Sequence, residues 1–177
     1  MVKRILIIAY HYPPLHGIRG MQRTFRFSQY LPEFGWQPIV LSAHPRAYQR
    51  VDYTLSDEIS DQIPVYRAFA LDTSRHLSIM NRYPQLLALP DRWIAWWLGA
   101  VPKGLYLIRK YKPDVIWSTY PIATAHLIGL TLEKMTNIPW VADFRDPMVQ
   151  IDYPSNPLTY RAYQWIESKT ISHCTRA

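Results

Sequence analysis

The chain opens with a short, uninterrupted apolar run, ILIIA at residues 5–9, which is typical of a strand buried on both faces of a parallel sheet. A turn rich in proline and glycine follows at residues 10–20, and residues 21–31 then show helical spacing. Open α/β sheets build ligand sites from this order, because strand ends and free helix amides meet there. The first thirty residues therefore predict an α/β domain with a ligand loop near its N-terminus.

The rest of the chain repeats this alternation of short apolar strands and helical patterns. It predicts a doubly wound, mainly parallel sheet with helices on both faces, in one domain covering residues 1–177. Residues 72–90 are expected to be irregular with a short helix, and Phe27, Leu31 and Phe34 to form the apolar stripe of the first helix. The predicted strands are 4–9, 37–42, 65–69, 115–118 and 140–143, and the predicted helices are 20–31, 92–111, 122–135 and 157–173.

Charge and cysteine content narrow the classes of function. The net charge of +7 and a pI near 9.6 predict an anionic partner, such as a nucleotide or a phospholipid surface. Nucleic acid is not expected, because the basic residues are scattered and no recognition module is present. The single Cys174 excludes an intramolecular disulfide and a cysteine-built zinc site. Without a signal peptide or a long apolar run, we expect a cytoplasmic protein, peripheral at the inner face of the membrane.

The loop after the first strand holds candidate phosphate ligands. It matches neither the dinucleotide fingerprint nor Walker A, but Gly17 and Gly20 permit close approach of a ligand, and Gly20 stands at the predicted N-cap, where helix amides are free. Arg19 and His16 complete this candidate phosphate loop. His11 is a candidate for binding substrate or acting as a base, and no carboxylates at ligand spacing accompany the histidines, so no metal site is expected. A plain glycine turn is the equal alternative.

Two further loops follow predicted strands and should reach the same sheet edge. Asp143, Arg145 and Asp146 come at the end of strand 140–143, where side chains point into the ligand crevice. They are predicted to hold sugar hydroxyls, with an ion pair and helix cap as the alternative. Ser118 and Thr119 end the preceding strand and are assigned, with Asp143, to the same rim of the ligand crevice.

The tryptophan-rich stretch has two interpretations. Trp93, Trp96 and Trp97 lie among basic residues, a combination that suits a membrane interface or a lipid-linked substrate. The alternative is a core helix in which tryptophan fills volume, and at least one tryptophan is expected to be core.

Five segments, taken in order, resemble a known family. The first is the N-terminal strand, and the other four are HYPPLHGIRGMQR, YLPEFGWQPIVLS, YKPDVIWSTYP and IPWVADFRDPM. The chain resembles, over nearly its whole length, the N-terminal, Rossmann-like domain of family 4-like glycosyltransferases of the GT-B fold. The resemblance implies retaining transfer from a nucleotide-sugar donor without a metal or other cofactor. It also implies an acceptor-binding domain whose glycine loop, matched by Gly17 and Gly20, reaches towards the donor phosphates. On this resemblance, His16 and Arg19 are assigned with the two glycines to the donor-phosphate loop. The acceptor cleft is assigned to His11, Ser118, Thr119 and Asp143.

The chain departs from the family pattern in two ways. Where many relatives have a His-Asp pair near the reacting sugar, this chain has Arg145-Asp146, so no histidine role is carried over and these two residues become the candidate catalytic pair. The family's C-terminal domain, which carries most of the nucleotide-sugar site, has no counterpart in residues 1–177. We therefore expect a part of an enzyme of surface polysaccharide or glycolipid synthesis that is inactive alone and that can dimerise through its cleft face. The alternative is a non-catalytic membrane-surface or partner-binding module.

Overall fold

The computed structural model describes residues 2–16, 19–54, 59, 62–78 and 82–177. In these residues the strands form one parallel sheet in the order β3-β2-β1-β4-β5, which confirms the predicted doubly wound α/β fold. The strands are β1 (Lys3–Ile8), β2 (Trp36–Ala43), β3 (Val65–Ala68), β4 (Val115–Thr119) and β5 (Trp140–Asp143).

The strand order reverses direction at β1, which pairs with β2 on one side and β4 on the other. Connections from β1 leave towards one face of the sheet and those from β4 towards the other, so a crevice opens at their carboxyl ends. Residues that follow β1, β4 and β5 therefore surround one place in the fold.

Helices cover both faces of the sheet, close to the predicted positions. They are α1 (Arg19–Tyr30), α2 (Thr73–His76), α3 (Ala95–Tyr111), α4 (Ala123–Thr136) and α5 (Pro157–His173), with 3-10 turns at Leu31–Phe34, Pro45–Ala47 and Gln85–Ala88. The sequence predicted Gly20 at the N-cap of this helix. Because α1 begins at Arg19, Gly20 lies instead within its first turn. Among the helices of the described residues, none has both the length and the apolar character needed to cross a bilayer.

The larger half of the core lies between the sheet and helices α3 and α4. Trp96 and Trp140 are its largest fully buried side chains, and the prediction that Trp96 faces a membrane is wrong. The helix turns Trp96 towards the sheet, while Trp93 and Trp97 are half-buried at the margin of this core. The indole of Trp97 donates a hydrogen bond to the Thr131 hydroxyl at 3.0 Å.

Helix α1 packs on the opposite face through a different stripe from the predicted one. Met21 and Phe25 are buried. Of the predicted stripe, Leu31 is buried with them, whereas Phe27 and Phe34 are 41% and 76% exposed. The buried face also includes Ser28, whose hydroxyl donates to the Phe25 carbonyl at 2.7 Å. A polar residue that satisfies its own hydrogen bonds can be buried, so counting apolar residues alone was right for Leu31 and wrong for Phe27 and Phe34.

Candidate functional site

A group of polar side chains meets at the carboxyl ends of β4 and β5. Asp143 ends β5 and accepts a hydrogen bond from the Thr119 hydroxyl, at the end of β4, at 2.8 Å. Its second oxygen accepts from the Arg23 guanidinium at 2.9 Å. Arg145 donates to the Thr119 hydroxyl at 3.2 Å and to the Thr24 hydroxyl at 3.1 Å, and its Nε lies 3.6 Å from Asp143 Oδ2. We call these five residues the Asp143 cluster.

The Asp143 cluster carries a net positive charge in a partly buried place. Two guanidinium groups, Arg23 and Arg145, share the one carboxylate of Asp143. The side chains of Asp143 and Arg145 are only 12% and 13% exposed. Burial lowers the pKa of the Arg145 guanidinium, as does the charge of Arg23, while Asp143 raises it. The neighbouring Asp146 carboxylate formally balances this charge. What the cluster offers an anionic or hydroxyl-rich ligand is hydrogen-bond donors, above all the Arg23 guanidinium, whose side chain is 57% exposed.

The backbone at Arg145 has a positive φ of 63°, which is uncommon for a residue other than glycine. This conformation turns the chain back immediately after β5, and the guanidinium then reaches Thr119 and Thr24. Asp146 is exposed beside this turn, and its carboxylate acts electrostatically on Arg145. The catalytic assignment of Arg145 and Asp146 stays a prediction.

His11 follows β1 and is 9% exposed. Burial, and secondarily the charge of Arg145, lowers its pKa to about 4, so its imidazole is neutral at neutral pH. Its Nδ1 has no hydrogen-bond partner among the described residues. His11 also lines a small cavity together with Tyr48, Arg92 and Trp93. A buried, neutral imidazole with an unused ring nitrogen beside a cationic cluster can hydrogen-bond a ligand hydroxyl or accept its proton.

The remainder of the predicted phosphate loop is only partly described. His16 is exposed, and its Nδ1 lies 3.2 Å from the carboxylate of Asp52. Gly17 lies outside the described residues, and for Arg19 and Gly20 the structure describes the helical backbone alone. Their assignment to donor phosphates therefore stays a prediction.

Ser118 does not belong to the cleft, contrary to the sequence prediction. Its side chain is fully buried, where its hydroxyl accepts a hydrogen bond from the Trp140 indole at 2.8 Å and bonds to His126 Nδ1 at 2.8 Å. Successive residues of a strand point to opposite faces, so Thr119 reaches the cleft while Ser118 enters the core beneath α4. His126 is also fully buried, and burial lowers its pKa to about 3. The sequence offered one signal for His126, a histidine in an otherwise apolar helix.

Arg67 in β3 supports the loop of the candidate site, a role that the sequence did not indicate. Its guanidinium donates to the Pro13 carbonyl and, at 3.4 Å, to the Tyr48 hydroxyl, and it lies 5.7 Å from the centre of the Tyr12 ring. The Tyr48 hydroxyl in turn donates to the Tyr10 carbonyl at 2.8 Å. These contacts hold the loop that presents His11. The only sequence signal for Arg67 was its position as the one arginine inside a short apolar strand.

Metal-ligating side chains do not gather in the described part of the chain: no group of three histidine, cysteine, aspartate or glutamate residues lies at ligand distance there. The basic side chains Arg23 and Arg145 are instead the groups suited to a phosphate or diphosphate.

No family model and no curated protein matches this chain. Several solved structures do match this chain. Sucrose-phosphate synthase from Thermosynechococcus elongatus is 12% identical, with a TM-score of 0.64 over 97% of this chain and 41% of that one. The Streptomyces sp. SF2575 glycosyltransferase SsfS6, complexed with thymidine diphosphate, is 15% identical, with a TM-score of 0.53 over 98% of this chain and 43% of that one. Phytolacca americana UGT2, complexed with UDP-2-fluoro-glucose and pterostilbene, is 12% identical, with a TM-score of 0.55 over 96% of this chain and 45% of that one.

The chain thus spans less than half the length of the solved structures it matches. At these identities the likeness establishes the fold, which is the Rossmann-like α/β fold that occurs within GT-B glycosyltransferases.

Proposed function

We propose that this chain is the acceptor-side domain of a glycosyltransferase that uses a nucleotide-sugar donor. The shared fold supports the proposal, as do the neighbours solved with thymidine diphosphate and with a UDP-sugar. A second domain outside residues 1–177 would bind most of the donor, so the domain alone is expected to be inactive. The membership in family 4, retention of configuration at the transferred sugar carbon, and a role in surface polysaccharide or glycolipid synthesis rest on the sequence resemblance.

The observation that carries the proposal is the Asp143 cluster beside His11 at the carboxyl ends of the strands. In sugar transfer, an acceptor hydroxyl oxygen bonds to the sugar carbon and gives up its proton, which the departing diphosphate or a neighbouring base such as His11 takes up. The bond from that carbon to the diphosphate breaks, and the diphosphate leaves with its electron pair. Negative charge grows on the departing nucleoside diphosphate, where a preorganised cation stabilises it. We assign Arg23 and Arg145 to this charge, and Asp143, Thr119 and His11 to hydroxyls of the acceptor.

The test measures transfer by the complete protein from a panel of nucleotide sugars. Asp143→Asn and Arg145→Gln are each expected to lower kcat/KM at least about a hundredfold, because each removes a charge from the reacting centre. Arg161→Gln is the matched control, since Arg161 is exposed on α5. Addition of a chelator should leave the rate unchanged, as the resemblance implies transfer without a metal.

Two results would contradict the proposal. Unchanged kcat/KM in both cluster variants would remove the Asp143 cluster from the reaction. Transfer by residues 1–177 at the rate of the complete protein would refute the requirement for a second domain.

A further inference from the structure

An exposed apolar groove runs beside the N-terminal half of α3. Nine of the ten described residues that line it are apolar, Thr73 being the exception. Five of its large side chains are between 39% and 73% exposed: Phe69, Leu77, Leu86, Leu87 and Leu98. A contiguous exposed patch of this kind is typical of an interaction surface, because a monomer with a complete core has no need of it.

The groove is a built feature of the fold. Helix α3 approaches the chain after β3 so closely that a Cβ at Gly99 would lie 2.4 Å from the Phe69 carbonyl oxygen. This contact brings Leu98 on α3 beside Phe69 and forms one wall of the groove.

The exposed face of α3 continues from apolar to basic along its length. Leu98, Pro102, Tyr106 and Arg109 recur at spacings of four, four and three residues, and all are exposed. The ammonium groups of Lys103 and Lys110 flank this stripe, 5.5 and 5.9 Å from the centre of the Tyr106 ring. A helix of 17 residues is about 25 Å long, so α3 presents an apolar end and a cationic end on one surface.

The positive charge of the chain is concentrated in this segment. Residues 73–113 contain seven lysine and arginine residues and one acidic residue, a net charge of +6 out of +7 for the whole chain. The acidic residue, Asp91, is buried and accepts hydrogen bonds from the backbone of Trp93 and Thr124. Asp72, which precedes the segment, is also buried and lies 3.5 Å from Arg92. The exposed charged side chains that the structure describes within residues 73–113 are therefore all cationic.

We propose that this surface, which consists of the groove and the exposed stripe of α3, docks on an anionic phospholipid bilayer. The leucines enter the boundary between headgroups and acyl chains, and Arg109, Lys110 and Lys112 pair with lipid phosphates. Charge favours a bilayer over a second copy of the chain, since two copies would bring together two surfaces that each carry the +6 segment.

The proposed docking surface adjoins the candidate site. The helix that precedes a parallel strand runs antiparallel to it, so the start of α3 lies at the same sheet edge as the Asp143 cluster. Arg92 and Trp93 line the cavity next to His11, whereas Ile94 and Ala95 line the groove. A bilayer on this surface would place lipid headgroups next to the cleft. Trp97, which also lines the groove, is the tryptophan of the predicted three that faces this surface.

The first experiment measures cosedimentation with vesicles of phosphatidylcholine, with and without phosphatidylglycerol. The protein should bind the anionic vesicles, and added salt should weaken binding. Leu86→Gln with Leu98→Gln is expected to lower the partition coefficient about tenfold or more. Phe34→Gln with Ile151→Gln removes as many apolar side chains from positions that are 76% and 97% exposed elsewhere, and should leave binding unchanged.

The second experiment tests the contribution of charge. It replaces two pairs of basic residues with neutral ones and compares the effect of each pair on vesicle binding. Arg109→Gln with Lys112→Asn should lower binding to anionic vesicles about tenfold or more, since each basic residue near the surface contributes to the attraction. Asparagine suits position 112, where φ is 48°. Lys134→Gln with Arg161→Gln changes the net charge equally at exposed positions on α4 and α5 and should have a much smaller effect.

Three results would overturn the docking proposal. These are absence of binding to anionic vesicles even at low salt, equal loss of binding in the matched controls, and a concentration-dependent dimer in gel filtration that Leu98→Gln abolishes. The dimer would identify a second copy as the occupant. Vesicle binding does not measure sugar transfer, so this proposal and the proposed function fail independently.

Discussion

Lowering the pH from about 7.5 to about 5.5 should destabilise the fold through two buried histidines, His11 and His126. Burial lowers their pKa values from the ordinary 6.5 to about 4 and about 3. As the pH falls below 6.5, the unfolded chain takes up protons at these positions while the folded chain does not. The free energy of unfolding therefore falls with the pH until the folded-state pKa values are reached.

The size of the effect follows from the distance between the test pH and the ordinary pKa. At about pH 5.5, one unit below that value, each histidine costs about 1.4 kcal/mol, and the two together cost about 2.7 kcal/mol. That is a large fraction of the roughly 5–15 kcal/mol that stabilises a typical domain. Burial raises the pKa of Asp91, which acts in the opposite direction, so variants must be compared as well as pH values.

Urea denaturation of the wild type and of variants at the two pH values measures this loss. His126→Gln keeps a neutral group that can bond the Ser118 hydroxyl, and it should remove about half of the pH-dependent loss. His11→Gln should remove the other half, and the double variant most of it. The reasoning fails if the double variant loses as much stability on acidification as the wild type.

Three further predictions concern the packing that supports the site. Gly129→Ala should lower the free energy of unfolding in urea by about 2–3 kcal/mol. The reason is that its Cβ would lie 2.6 Å from the indole nitrogen of the fully buried Trp140. An unchanged unfolding midpoint would contradict this packing. Asp91→Ala should cost about 2–4 kcal/mol by the same measurement, since it leaves the amide and hydroxyl of Thr124, bonded at 2.8 and 2.9 Å, without their buried acceptor; Asp91→Asn, which keeps one acceptor oxygen, should cost less. Arg67→Met should increase hydrogen exchange at the amides of residues 16 and 52, which bond to the carbonyls of residues 50 and 14, whereas Arg46→Met, at an exposed position, should not.

Much of the fold could be predicted because its elements are encoded locally. The apolar runs at residues 5–9 and 140–143 are short and continuous, and they became β1 and β5 within a residue or two. Helix α5 was predicted at its observed bounds, Pro157–His173, where Asn156 caps the first turn through hydrogen bonds from Leu158 and Thr159. Burial on both faces and helix capping are properties of neighbouring residues, so the sequence shows them directly.

The candidate site was predictable in its location and not in its contacts. The ends of parallel strands share one edge of a sheet, which placed His11, Thr119, Asp143 and Arg145 together before any distance was known. Ser118 was assigned to the same edge and is in the core, because strand alternation turned it towards His126.

By itself, then, the sequence determined the strands, the helices, the sheet class and the sheet edge at which the candidate site lies. The tertiary structure alone decided which side chains contact one another. Arg145 bonds to Thr24 across 121 positions, and Arg67 reaches the Pro13 carbonyl across 54. It also decided that Trp96 fills the core while Leu98 is exposed beside the groove. Local patterns record how a segment folds, but which side chains meet, and which face remains uncovered, depends on segments distant in sequence that pack against it.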